Sequence, residues 1–153
     1  LSNNKFKFRY TGVDMVPEFI NFCQNKFPPK NKFKLVSPSE KIINNFDIIF
    51  MSGVFNLKTD ENSQFSKKYV FQRLKELFDL TNEILICDFL SSEVDFQQPD
   101  AQHFSIDEVS SFCFNNLGRK FAIRHDLLPY EFSLIIFKDS QIRKSDNTYK
   151  ISL

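Results

Sequence analysis

Two unbroken apolar runs constrain this chain more than any other feature. Phe46-Asp47-Ile48-Ile49-Phe50-Met51 is apolar except for Asp47, and Ile84-Leu85-Ile86-Cys87-Asp88-Phe89-Leu90 is apolar except for Asp88. A strand with one solvated face alternates apolar and polar residues, whereas a strand buried on both faces, as in a parallel sheet, does not. Between the runs Val70, Phe71, Leu74, Leu77 and Phe78 fall at i, i+1, i+4, i+7 and i+8, the spacing of one helical face. Strand, helix and second buried strand make a βαβ unit, and so predict an α/β sheet with helices on both faces.

The flanking segments extend the alternation. Phe6, Phe8, Tyr10 and Val13 predict a strand ending in Gly12-Val13-Asp14. A helix follows, with Pro17 in its first turn, Glu18 near the positive end of its dipole, and Phe19, Ile20, Cys23 and Phe27 on one face. A short strand is expected over 33–36. Ser37-Pro38-Ser39-Glu40 then reads as a capped start of a brief helix that ends near Asn44. A polar loop covers about 58–64. Ser105 and Glu108 form a capping box, Phe104 can staple to Val109 across it, and Gly118 suits the position past the helix end. The apolar segments 121–125 and 132–137 are joined by too few residues for a parallel crossover, so they form an antiparallel hairpin. One domain over 1–138 and a polar tail over 139–153 account for the 153 residues.

Composition excludes several classes. Twenty basic and 19 acidic residues leave a net charge of +1, which calls for neither nucleic acid nor an anionic membrane. Three widely spaced cysteines in apolar stretches and two distant histidines supply neither a disulfide framework nor a metal site. No apolar run reaches membrane length, and the first residues do not read as a signal peptide. The expected compartment is the cytoplasm.

In open α/β sheets ligands bind beyond the carboxyl ends of the strands. Asp14 ends the first strand, where its carboxylate can accept both hydroxyls of a ribose, or can bond backbone amides ahead of the helix. Ser37 follows the second strand. Ser52-Gly53 follows the third, where a small residue and a glycine let a ligand approach the backbone or make a turn with positive φ. His125 has an acid–base side chain at the end of a closing strand, but no visible partner. Asp88 is expected to be hydrogen-bonded to a neighbouring segment, Asp47 to act as a cap, and Tyr130-Glu131 to line a pocket or make the hairpin turn.

These residues resemble class I S-adenosylmethionine-dependent methyltransferases. Tyr10-Thr11-Gly12-Val13-Asp14-Met15-Val16-Pro17-Glu18-Phe19-Ile20 looks like that family's second strand and following helix. The stretch from Phe46 to Asn56 looks like its fourth strand and loop, 84–90 its fifth strand, and the closing hairpin its sixth and seventh. The resemblance implies a Rossmann-like three-layer sandwich, mostly parallel, with a C-terminal antiparallel hairpin. It implies S-adenosylmethionine as cofactor and a small molecule or protein as methyl acceptor. Asp14 would hold the ribose and Met15 would lie against the adenine. Ser37 would stand where an acidic residue often meets the adenine amine. Ser52, Gly53 and Val54 would approach the methionine part. Phe55, Asn56, His125 and Tyr130 would face the acceptor.

One departure bears on activity. The family's first strand carries a Gly-x-Gly-x-Gly loop, and the three glycines here, at 12, 53 and 118, do not form it. The expectation is an N-terminally truncated domain whose central first strand is missing, inactive as this chain alone. The alternative is a non-catalytic scaffold or interaction subunit that receives the missing strand from a partner. A dinucleotide oxidoreductase lacks its Gly-x-Gly pair here, and a phospho-receiver would need Asp where Ser52 stands.

Overall fold

The computed structural model describes residues 7–37 and 40–138. The chain divides into two compact units, Leu1–Ile43 and Asn44–Leu153. The expected polar tail and the Pro38-Ser39 step lie outside the described residues.

In the first unit, β1 (Thr11–Asp14) pairs in parallel with β2 (Lys32–Leu35) through the crossover helix α1 (Pro17–Lys26). Pro17 stands in the first turn of α1, as its preset φ and missing N–H favour, with Glu18 beside it. Phe33 stacks on Phe27 at 5.7 Å and tilts against Tyr10 at 5.8 Å. Gly12 makes room for this cluster, because a Cβ there would lie 2.9 Å from the Phe33 ring. The brief helix expected from Ser37 is not formed at residues 40–45. The Glu40 carboxylate bonds to the Ser37 backbone and also forms an ion pair with Lys34 of β2, while the Glu40 N–H donates to the Ser37 carbonyl at 3.0 Å.

The second unit holds a five-stranded sheet. Its central path is β3 (Phe46–Met51), β4 (Thr81–Ser91), β7 (Glu131–Phe137) and β6 (Phe121–Leu128), and the short β5 (His103–Phe104) pairs beside the end of β4. As the two apolar runs require, β3 and β4 are parallel, with Ile48 opposite Ile84 and Met51 opposite Cys87. The closing hairpin is antiparallel, with Ile123 opposite Leu134, and β7 also runs antiparallel to β4. Mixed α/β order is therefore observed, although the described strands form two sheets rather than one.

One face of the larger sheet carries the core. Leu85, Cys87, Phe89, Phe132, Leu134 and Ile136 are fully buried there, with Val70 and Leu74 of α2 (Ser63–Asp79) and Val109 and Cys113 of α3 (Ile106–Asn116). The two helices meet through Phe71 and Phe112, stacked 4.4 Å apart, and Phe89 touches Phe104 at 5.0 Å. Both of these helices thus serve the same face of the sheet. The opposite face is half-exposed along β4 and β7, and on β3 Ile48 and Phe50 are 55% and 65% exposed. The edge of β3 away from β4 pairs with no strand among the described residues.

Helix α3 begins as predicted. The Glu108 N–H donates to Ser105 Oγ at 3.0 Å, and the Ser105 N–H donates to Glu108 Oε2 at 2.9 Å. Phe104 and Val109, the expected staple, are both buried. Gly118 follows the last turn with positive φ, its N–H donating to the Cys113 carbonyl at 2.9 Å.

Candidate functional site

The predicted residues fall in both units. In the first, Asp14 ends β1, and its Oδ1 accepts the Val16 N–H at 2.8 Å, which fixes the entry into α1. Its turn-making role is thus realised. Among the described residues, no group donates to its other oxygen. Met15 is exposed beside it. Ser37 is also exposed, and its carbonyl accepts the Glu40 N–H at 3.0 Å.

In the second unit Ser52 and Gly53 follow β3 as expected. Gly53 has φ +69°, the left-handed region that other residues enter at a cost, and the nearest atom to a Cβ built there is Asn56 Nδ2 at 3.9 Å. Backbone conformation rather than crowding therefore calls for glycine, and the space above it is open. Val54 is exposed. Phe55 turns into the core, where its ring stacks on Phe89 at 6.1 Å, so it forms the floor of the loop. Asn56 is half-buried.

The remaining predicted residues belong to the hairpin. His125 is exposed, and its Nε2 donates to the Pro129 carbonyl at 3.1 Å, a bond that braces the turn. Tyr130 is exposed, while its carbonyl accepts the Ser91 N–H at 2.8 Å. Asp88 accepts from Ser133 Oγ, its cross-strand neighbour, at 2.6 Å, as expected of a tied carboxylate. Asp47 accepts from Asn82 at 3.1 Å. The cysteines are free thiols, and burial pushes those of Cys87 and Cys113 up, the latter to about 12. No cluster of metal-ligating side chains occurs among the described residues. Nor is any described helix long and apolar enough to cross a membrane.

A polar corner at the carboxyl end of the larger sheet was missed by the sequence reading. The segment after β3 pairs with the segment before β5. The Lys58 N–H donates to Asp100 O at 2.9 Å, the Gln102 N–H donates to Asn56 O at 2.9 Å, and Leu57 bridges Ala101. Gln102 is 1% exposed, and its amide nitrogen donates to His103 O at 3.1 Å and to Ser63 Oγ at 3.3 Å. His103 Nδ1 lies 2.7 Å from Ser91 O. Asn56 Oδ1, Gln102 Oε1 and His103 Nε2 are buried with no hydrogen-bond partner. Each orphan of this kind costs about 1–3 kcal/mol. Nothing local in the sequence marks His103, because the group that orients it lies twelve residues upstream.

No protein-family model matches the sequence. No curated protein matches it either. Solved structures do match in fold. Magnesium protoporphyrin IX methyltransferase from Synechocystis PCC 6803, solved with bound S-adenosylhomocysteine, is similar with a TM-score of 0.61 at 11% identity, over 84% of this chain and 63% of that one. Human N-acetylserotonin methyltransferase in complex with S-adenosylmethionine gives 0.59 at 10% identity, over 84% of this chain and 40% of that one. A pericyclic reaction enzyme gives 0.61 at 9% identity, over 87% of this chain and 37% of that one. The fold is thus that of S-adenosylmethionine-dependent methyltransferases, and the chain spans 63% of the first of these structures and smaller parts of the others. At such identities the likeness fixes the fold alone, and the pericyclic enzyme shows that this fold also carries other chemistry.

Proposed function

We propose that this chain is the larger part of an S-adenosylmethionine-dependent methyltransferase domain. The observation that carries the reading is the fold likeness over 84% of the chain to a methyltransferase holding S-adenosylhomocysteine, together with a carboxylate at the carboxyl end of β1. A ribose role for Asp14 is supported by its second oxygen, which receives no donor among the described residues. The open space above Gly53 supports a ligand-facing role for its loop. Asp14 would hold the ribose hydroxyls, Met15 would lie against the adenine, and Ser37 would accept from its amine. Ser52, Gly53 and Val54 would line the methionine part, with Asn56, His125 and Tyr130 toward the acceptor, and Phe55 as the floor beneath them. Bound there, the cofactor supplies a methyl group on a sulfonium. The protein's task is then chiefly to hold the acceptor's nucleophile in line.

The amide cradle of a Gly-x-Gly-x-Gly loop is not among these 153 residues. We therefore propose that the chain alone gives no turnover, and that a further strand adds at the free edge of β3, from a partner or from a segment outside these residues. The acceptor is a small molecule or a protein. A second reading, a non-catalytic scaffold, draws on the same absence of glycine pairs. Titration with S-adenosylhomocysteine separates the two. Saturable binding that Asp14→Ala abolishes supports the methyltransferase site, and no binding by folded chain favours the scaffold.

A further inference from the structure

Between α2 and α3 lies a groove of about 570 Å³. One wall is a stripe of α2 from Gln64 to Lys75 that includes Lys67, Lys68 and Phe71, residues three and four apart on one helical face. The other is the stripe of α3 from Glu108 through Phe112. The contacts Lys67–Glu108 and Phe71–Phe112 ascend together, so the two helices run side by side in the same direction. The groove follows them over the rise from Gln64 to Lys75, about 16 Å and three turns.

The floor of the groove is apolar and its rim is basic. Phe71 and Phe112 stack 4.4 Å apart, and both are only half-buried, so part of the stack faces the groove. The lining residues hold three lysines against one carboxylate, that of Glu108. This carboxylate is already committed, to the Lys67 ammonium at 2.6 Å and to the Ser105 N–H at 2.9 Å. Lys75 reaches Asp79 of its own helix at 3.2 Å, a pair weakened because both side chains are more than half exposed. Lys68 is exposed and makes no ion pair or hydrogen bond among the described residues. Two ammonium groups thus flank an aromatic floor with no carboxylate in the groove left to answer them. Charge complementarity calls for an acidic partner, and the floor calls for an apolar stripe on it. The length calls for a helix, since two such rows of side chains take the ridge of a third helix between them, and an amphipathic helix in a groove is anchored at i, i+3 or i+4, and i+7.

We propose that the groove between α2 and α3 docks an acidic amphipathic helix of a partner protein, with its apolar stripe on Phe71 and Phe112 and its carboxylates toward Lys68 and Lys75. The inference does not rest on the methyltransferase reading, and its test needs no cofactor. The probe is a synthetic peptide of about four helical turns, rich in Ala and Glu, with Leu at i, i+4 and i+7. It is titrated into the isotope-labelled chain while the backbone amides are followed by proton–nitrogen correlation. A peptide of the same composition with its Leu residues spread round the helix is one control, and benzoate, which has a ring and a charge but no length, is the other. Expected are saturable shifts confined to residues 64–75 and 108–116, much smaller shifts with either control, and binding weakened several-fold by Lys68→Glu. If Lys68→Glu loses its dispersed spectrum, Lys68→Gln replaces it and should also weaken binding. No saturable shift, shifts centred elsewhere, or equal binding of the scrambled peptide would overturn the proposal. So would an undiminished affinity in the Lys68 variant, or a benzoate response as strong as the peptide's, which would mark a small-molecule pocket instead.

Discussion

Replacing Glu108 tests whether the local electrostatics at the start of α3 hold that helix to α2. The carboxylate closes the capping box and also takes the Lys67 ammonium at 2.6 and 2.8 Å across the two helices. Glu108→Ala strips a partner from the Ser105 N–H, a loss of about 1 kcal/mol by analogy with cap substitutions. It also breaks a part-exposed ion pair worth about 0.2–1 kcal/mol. The sum, about 1–2 kcal/mol, lowers Tm by roughly 2–8 °C for a chain of this size. Glu108→Gln keeps an oxygen for the Ser105 N–H and removes the charge, so it should cost about half as much. Burial raises the Glu108 carboxyl, but the Lys67 ammonium and the Ser105 N–H outweigh it and hold the carboxyl below its usual value of 4.5. The charge contribution is therefore fully present above that value and fades as pH falls through the lower folded value. Thermal unfolding followed by circular dichroism at pH 7 and at pH 3–4 would show the gap between wild type and Glu108→Gln closing in acid. Equal costs for the two substitutions, or a gap that does not change with pH, would refute the reasoning.

Three further outcomes follow from the core and the β3 loop. Phe89 lies against Phe55, Phe104 and Phe132, so Phe89→Ala should cost about 3–5 kcal/mol in urea unfolding. Gly53→Ala should cost about 1–2 kcal/mol through its φ of +69° alone, since no clash awaits the methyl group. In native protein a thiol reagent should label Cys23 quickly and reach Cys87 and Cys113 only on unfolding, because both are fully buried.

Much of the fold was legible because the signals were local or strongly periodic. The apolar runs at Phe46–Met51 and over 84–90 specified a parallel pair, but not burial on both faces, since Ile48 and Phe50 of β3 are exposed, and the short joint after 121–125 specified a hairpin. Ser105 and Glu108 marked a helix start to the residue. The Ser37–Glu40 pattern offered the same signal but starts no helix: the Glu40 carboxylate takes Lys34 of β2 as well as the Ser37 backbone, and the Glu40 N–H donates to the Ser37 carbonyl. The start of α2 was placed too late, because Asn62, whose side chain accepts the Gln64 N–H at 2.9 Å, sits in a polar stretch that hides its capping role. Phe55 is apolar and follows a strand, which does not tell a core ring from an acceptor wall. The Asn56–Gln102–His103 corner was illegible, since it is assembled by bonds between the loops after β3 and before β5.

Calorimetric titration of S-adenosylhomocysteine into the chain, with Asp14→Ala alongside, tests the central claim most directly. Hydrogen bonds to a charged group are worth about 1.5–3 kcal/mol each, so losing even one on Asp14→Ala should weaken binding by about 10- to 100-fold. The account predicts saturable one-site binding with that loss. Undiminished binding in Asp14→Ala, or no heat from a chain whose spectrum shows it folded, would contradict it.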